Sequence, residues 1–188
     1  MDQLADRRDI LLIGEGTGLF LEKLLQVNPK TNVTVVEQSA EMIERSRNRV
    51  CEKDSCRVTF HQVSFLDFKS VDRFDAVCTF FFWDCFEQSQ LRAMLPVLST
   101  FAKEESLWID VDFFEVQDGA SLTMRWHFML IRVLYGFFGL ATGIEARQVE
   151  EIEPLAKQNG FFVTASHWDD KFPIRARILQ KRKQIANI

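Results

Sequence analysis

Three glycines at alternate positions, Gly14, Gly16 and Gly18, follow directly on the apolar run Ile10-Leu-Leu-Ile13. No other stretch restricts the fold so tightly. A short apolar run that ends in glycines and leads into the amphipathic segment Leu19 to Val27 reads as a buried strand turning into a helix. Nucleotide-type cofactors bind at such turns, at the carboxyl end of the first strand of an open α/β sheet. The spacing separates the candidates. A dinucleotide fingerprint, G-x-G-x-x-G, needs its third glycine at position 19, where this chain has leucine. A nicotinamide-dependent reductase is ranked last for that reason, and because it is expected to need more sheet after residue 114.

The β-branched run Val33-Thr-Val-Val ends in Glu37. A carboxylate at the tip of the second strand accepts hydrogen bonds from both hydroxyls of a ribose. Its alternative role is to open the next helix, where a negative charge suits the N-terminal dipole. Ser39 and Glu41 already serve that purpose, so the ribose role is preferred. The pair of features, G-x-G-x-G and a later acid, resembles the first motifs of the class I S-adenosylmethionine (SAM) methyltransferases.

That resemblance implies SAM as cofactor, with Gly14, Glu15, Gly16, Thr17 and Gly18 around it and Glu37 and Gln38 at its ribose. Two positions depart from the family pattern. Relatives often carry an acid two residues before the first glycine, where this chain has Leu12, so the carboxylate function is expected from Glu15. The alternative for Glu15 is a solvent-facing loop acid. After the third strand the family often has Gly-Asp-Ala, and here the stretch is Val63-Ser64-Phe65. Ser64 and the backbone or ring of Phe65 are the adenine candidates, Asp67 is a second choice, and an ordinary loop exit is an equal alternative.

Composition agrees with one α/β domain spanning 1–188. The 188 residues are 47% hydrophobic, with no low-complexity tract. Net charge is −4, and the basic residues form no block before the tail Arg175 to Lys183, which disfavours nucleic acid as a partner. Cys51, Cys56, Cys78 and Cys85 lack C-x-x-C spacing and a nearby histidine pair, so neither a metal site nor a disulfide framework is expected. The charged N-terminus lacks the apolar stretch of a signal peptide, and a cytoplasmic location is the expectation.

Strands and helices alternate along the chain, as a parallel sheet with crossover helices requires. Strands are expected at 9–13, 33–37, 57–63, 74–81, 107–114, 161–168 and 174–181. Helices are expected at 18–27, 39–51, 89–102 (interrupted by Pro96), 121–140 and 145–159. The last two strands form a hairpin that adds an antiparallel edge. The expected fold is therefore α/β and Rossmann-like: a seven-stranded, mostly parallel sheet, helices on both faces, and a C-terminal antiparallel hairpin.

The fourth strand runs out through Phe80-Phe81-Phe82-Trp83-Asp84, where this family places its methyl acceptor. Phe80 and Phe82 read as core, although an aromatic face also suits a sulfonium cation, so Phe80 is a cofactor candidate. Trp83 and Asp84 are expected to line the acceptor pocket, Asp84 as a base for a hydroxyl or as a helix cap. The Asn-Pro-Pro-Tyr motif of amino-group nucleic acid methyltransferases is absent. The apolar stretch 128–144 is too interrupted to span a membrane and is expected to cover the sheet, or to form a lid within 121–147. His127 (a catalytic candidate) and Arg147 (a substrate candidate) flank it. The function expected is SAM-dependent methylation of a small, largely apolar molecule, with peripheral membrane contact left open and the oligomeric state undetermined. The alternative is an inactive SAM-binding regulatory or scaffolding protein.

Overall fold

The computed structural model describes residues 2–114, 126, 129 and 152–182. Seven strands, β1 (Asp9–Ile13), β2 (Asn32–Glu37), β3 (Val58–Gln62), β4 (Phe74–Phe80), β5 (Ala102–Phe113), β6 (Phe161–Trp168) and β7 (Ile174–Lys181), form one sheet. Its order is β3-β2-β1-β4-β5-β7-β6. The first five pair in parallel with one another, and β7 runs antiparallel to both β5 and β6. This is the expected Rossmann-like architecture, with its terminal hairpin in place. The order reverses between β2 and β4 on either side of β1, so the glycines leave β1 at the switch point where such sheets bind ligands.

Helices α1 (Leu19–Val27), α2 (Ala40–Arg47), α3 (Gln88–Phe101) and α4 (Glu153–Gln158) complete the described core. Alternation along β1 decides which face each helix covers. Ile10 and Leu12 pack with Leu21, Leu24 and Leu25 of α1. Leu11 and Ile13 face the other way, toward Leu91, Met94, Leu95 and Leu98 of α3 and Leu155 of α4. Because β1 is buried on both faces, its sequence reads as an unbroken apolar run.

Three boundaries differ from expectation. Strand β5 begins at Ala102 rather than Leu107. Its charged start, Lys103-Glu-Glu105, lies between the paired positions Phe74↔Ala102 and Ala76↔Leu107 as an irregularity beside β4, with Glu105 at φ 60° and Lys103 Nζ held by Asp9 and Asp75 at 2.9 Å each. A charge run expected between helix and strand is thus carried within β5, with Glu104 and Glu105 exposed and Lys103 ion-paired. Helix α2 stops at Arg47, and residues 52–57 form a separate 3-10 turn. Helix α3 is continuous through Pro96. Both Pro96 and Arg92, whose carbonyl loses its amide partner, lie on the exposed side of the helix.

Candidate functional site

The three glycines do three different things. All have left-handed backbones, at φ 64°, 65° and 82°, a region side chains rarely adopt. A Cβ on Gly14 would meet the Phe82 ring at 2.6 Å. A Cβ on Gly18 would lie 2.7 Å from the Ser46 backbone of α2 and 2.5 Å from its hydroxyl. A Cβ on Gly16 would meet nothing within 4 Å. Gly14 and Gly18 therefore permit packing of β4 and α2 against the turn, while Gly16 leaves the open face that a ligand can approach. We expect Gly18→Ala to cost roughly 1–3 kcal/mol more stability than Gly16→Ala, because only the former overpacks against backbone. Denaturant unfolding of the two variants tests this, and equal losses would show that α2 gives way.

Two carboxylates hold the turn. Glu37 Oε2 accepts the Gly16 amide at 3.2 Å, and Oε1 accepts the Ser39 amide at 2.8 Å. Ser39 caps α2 by accepting the Met42 amide. Glu37 thus ties the glycine turn to the start of α2 with one lone pair on each oxygen, and each oxygen has a second to offer a ligand. The Glu15 carboxylate accepts the Leu21 amide at 2.9 Å, placing it at the N-terminus of α1. Burial, partly opposed by the Leu21 and Phe20 amides and reinforced by Glu37, pushes Glu15 up to about 7. The Thr17 carbonyl accepts Arg49 Nε at 2.9 Å, and Gln38 is exposed beside Glu37.

The remaining candidates are placed less simply. Phe65 is 5% exposed, with its ring set edge-on to Phe82, Trp83 and Phe101. The ring is thus packed within the protein, and of the two adenine contacts expected of Phe65 the backbone is the one this packing leaves. The Ser64 hydroxyl donates to Asp67 at 2.6 Å. Phe80 is half-buried and packs on Phe20 at a centroid distance of 4.3 Å. Trp83 is 2% exposed, and its indole donates to the Thr79 hydroxyl at 3.1 Å. Trp83 thus packs in the core beneath the exit of β4. His127 and Arg147 lie outside the described residues.

Behind Trp83 runs a buried polar network that sequence reading passed over. The Trp83 and Trp108 indoles both donate to Thr79 Oγ1, whose hydroxyl donates to Asp110 Oδ1 at 2.8 Å. Asp110 Oδ2 accepts Nε and Nη2 of Arg177 at 3.0 and 2.6 Å. Two residues along β5, Asp112 Oδ2 accepts the amides of Trp83 and Asp84 at 3.0 and 3.2 Å. It thereby caps the 3-10 turn Trp83–Cys85. The available signal was the alternation Asp110-Val-Asp112 on one strand and Arg175-Ala-Arg177 on another, which the β5–β7 register sets opposite each other.

Asp84 lies at 5% exposure and hydrogen-bonds the Asp112 carboxyl. Burial raises both acids, Asp84 to about 6. An unfolded aspartate titrates near 3.9, so the folded state binds more protons between about pH 4 and 6, and stability falls as pH rises through that window. Asp84→Asn is expected to show a shallower fall across it. Melting curves at several pH values check this, and parallel profiles for the two proteins would remove Asp84 as the cause.

Among the described residues no helix is long and apolar enough to cross a membrane, and no three side chains gather as a metal site. The turn fits SAM: an open glycine face at the switch point stands beside a carboxylate with free acceptor capacity. Residues 10–105, more than half the chain, match the family model described as a methyltransferase domain. No curated protein matches the chain by sequence. Among solved structures, the mitomycin 7-O-methyltransferase MmcR is 16% identical with a TM-score of 0.73, the match covering 95% of this chain and 50% of that one. The N-methyltransferase NodS from Bradyrhizobium japonicum WM9 is 12% identical with a TM-score of 0.67, covering 96% and 89%. Human N-acetylserotonin methyltransferase, solved with SAM, is 12% identical with a TM-score of 0.67, covering 96% and 49%. At such identities the likeness is one of fold, and the chain spans about half the length of the mitomycin enzyme. Sheet order and the glycine turn at the switch point define a Rossmann-like fold. The chain belongs to the class I SAM-dependent methyltransferase family, whose cofactor is S-adenosylmethionine.

Proposed function

We propose that this chain transfers a methyl group from SAM to a small, largely apolar acceptor. The observation that carries the cofactor half is Gly16, whose open face and Glu37-bound amide leave room for a ligand at the switch point. Glu37 would hold the ribose hydroxyls, and the backbone of Gly14 to Gly18 would border the rest of the cofactor. SAM supplies a methyl carbon already activated by its sulfonium. The protein's task is then to align the acceptor and exclude water, which can supply much of the acceleration.

For the acceptor half, support comes from the negative net charge, the apolar sequence 128–144 and the absent Asn-Pro-Pro-Tyr motif. Structural neighbours that include O- and N-methyltransferases agree in fold. Asp84 is the base candidate: raised to about 6, it is mostly ionised at neutral pH yet able to take a proton from a hydroxyl. His127 and Arg147 remain proposed pocket residues. A second reading, a SAM binder without turnover, is favoured by Ser64 and Phe65, which are engaged within the protein instead of open to adenine. Labelled SAM with a panel of phenols, amines and apolar hydroxyl compounds separates the two. Methylated product supports the first, and SAM binding with no product from any acceptor supports the second. Robust methylation of an oligonucleotide would overturn the acceptor class.

A further inference from the structure

The open glycine stands between two peptide units that are each held by a side chain. On its amino side, the Gly16 amide donates to Glu37 Oε2 at 3.2 Å. On its carboxyl side, the Thr17 carbonyl accepts Arg49 Nε at 2.9 Å. The peptide between them, joining Gly16 to Thr17, takes part in none of the hydrogen bonds among the described residues. Its carbonyl and amide are left for a ligand, beside the one glycine of the turn where a Cβ would meet nothing within 4 Å. Arg49 lies just beyond the end of α2, and its guanidinium also pairs through Nη1 with Glu22 of α1 at 3.1 Å. The turn is therefore gripped from two places, β2 and the exit of α2.

Resting on the SAM assignment above, we propose that Arg49 is a positioning residue for the cofactor, holding the Gly16–Thr17 peptide in the orientation that SAM meets. Glycine on both sides of Thr17 creates the need for it. Gly16 and Gly18 both sit at positive φ, and with no Cβ each has other backbone conformations within easy reach. A peptide joined to such residues turns over readily unless its neighbours are fixed. Glu37 fixes one neighbour and Arg49 the other, so the unliganded turn already has its binding shape. Without Arg49 only a fraction of the molecules is competent at any moment, and apparent affinity falls by that fraction. Stability should hardly change, because the Arg49 and Glu22 side chains are each 39% exposed and such pairs contribute little. Affinity and stability therefore separate, as they would not for an arginine that only supports the fold.

Calorimetry of the full chain with SAM and with S-adenosylhomocysteine, paired with thermal unfolding, tests this. Arg49→Met keeps the apolar stem and removes the guanidinium. It should bind both ligands roughly five- to tenfold more weakly than the parent, with an unchanged melting temperature. The two losses should match, since the ligands differ only at sulfur. Glu22→Gln leaves the Thr17 contact in place and should bind as the parent does. Parent-like affinity in Arg49→Met, an equal loss in Glu22→Gln, or a loss of affinity that follows a fall in melting temperature would each overturn the Arg49 role, while the SAM assignment stands. If the parent binds neither ligand, both fall. Should Arg49→Met fail to fold, NMR order parameters of the unliganded parent decide alone. The Thr17 amide should be as rigid as the sheet, at about 0.85, and a value below about 0.6 would show that the turn is not held.

Discussion

Replacing Arg177 with alanine is expected to lower the unfolding free energy by about 3–5 kcal/mol, the usual cost of stranding one partner of a buried ion pair. Asp110 is 0% exposed and Arg177 3%, so water cannot take over either charge. Asp110 would keep the Thr79 hydroxyl but lose both guanidinium contacts. The damage should spread along the chain of bonds, because Thr79 also receives the Trp83 and Trp108 indoles. Replacing both partners, as Asp110→Leu with Arg177→Met, is expected to recover much of the loss, since a filled apolar site removes the stranded charge. Denaturant unfolding with an unchanged m-value measures both proteins. A loss below about 1 kcal/mol in Arg177→Ala would place the pair in the class of solvent-exposed bridges, against the burial described here.

Glu37→Ala is expected to weaken SAM binding at least roughly a hundredfold, because each hydrogen bond to a charged acceptor is worth about 1.5–3 kcal/mol and two ribose hydroxyls are at stake. The carboxylate also holds the Gly16 and Ser39 amides, so some loss of turn order accompanies the substitution. Glu37→Gln separates the contributions. It keeps a neutral acceptor for one amide, so the fold should match the parent while affinity still drops by a factor of ten or more. Calorimetry gives the affinity and thermal unfolding gives the stability. Unchanged SAM affinity in both variants would leave Glu37 as a device that joins the turn to α2, and the ribose role would be abandoned.

The sequence alone determined the parts of this protein whose causes are local. A buried parallel strand is apolar on both faces, a left-handed turn favours glycine, and a capped helix begins near Ser39. Residues 9 to 47 were therefore legible almost residue by residue, and β6 and β7 were legible as two strands joined by a short loop containing Pro173. The same local grammar named Gly16 and Glu37 as candidate cofactor contacts. Tertiary structure decided everything that depends on what lies across the sheet. Three glycines look alike in sequence, yet only their neighbours, Phe82, open space and Ser46, give each its role. Trp83 looks like a pocket residue at a strand exit, and it is core because Thr79 and Trp108 meet it from β4 and β5. The acids of β5 acquire a role only when the register sets Asp110 opposite Arg177, some 67 residues away in the chain. Charge compensation across that distance is set by strand pairing, which no window of local sequence contains.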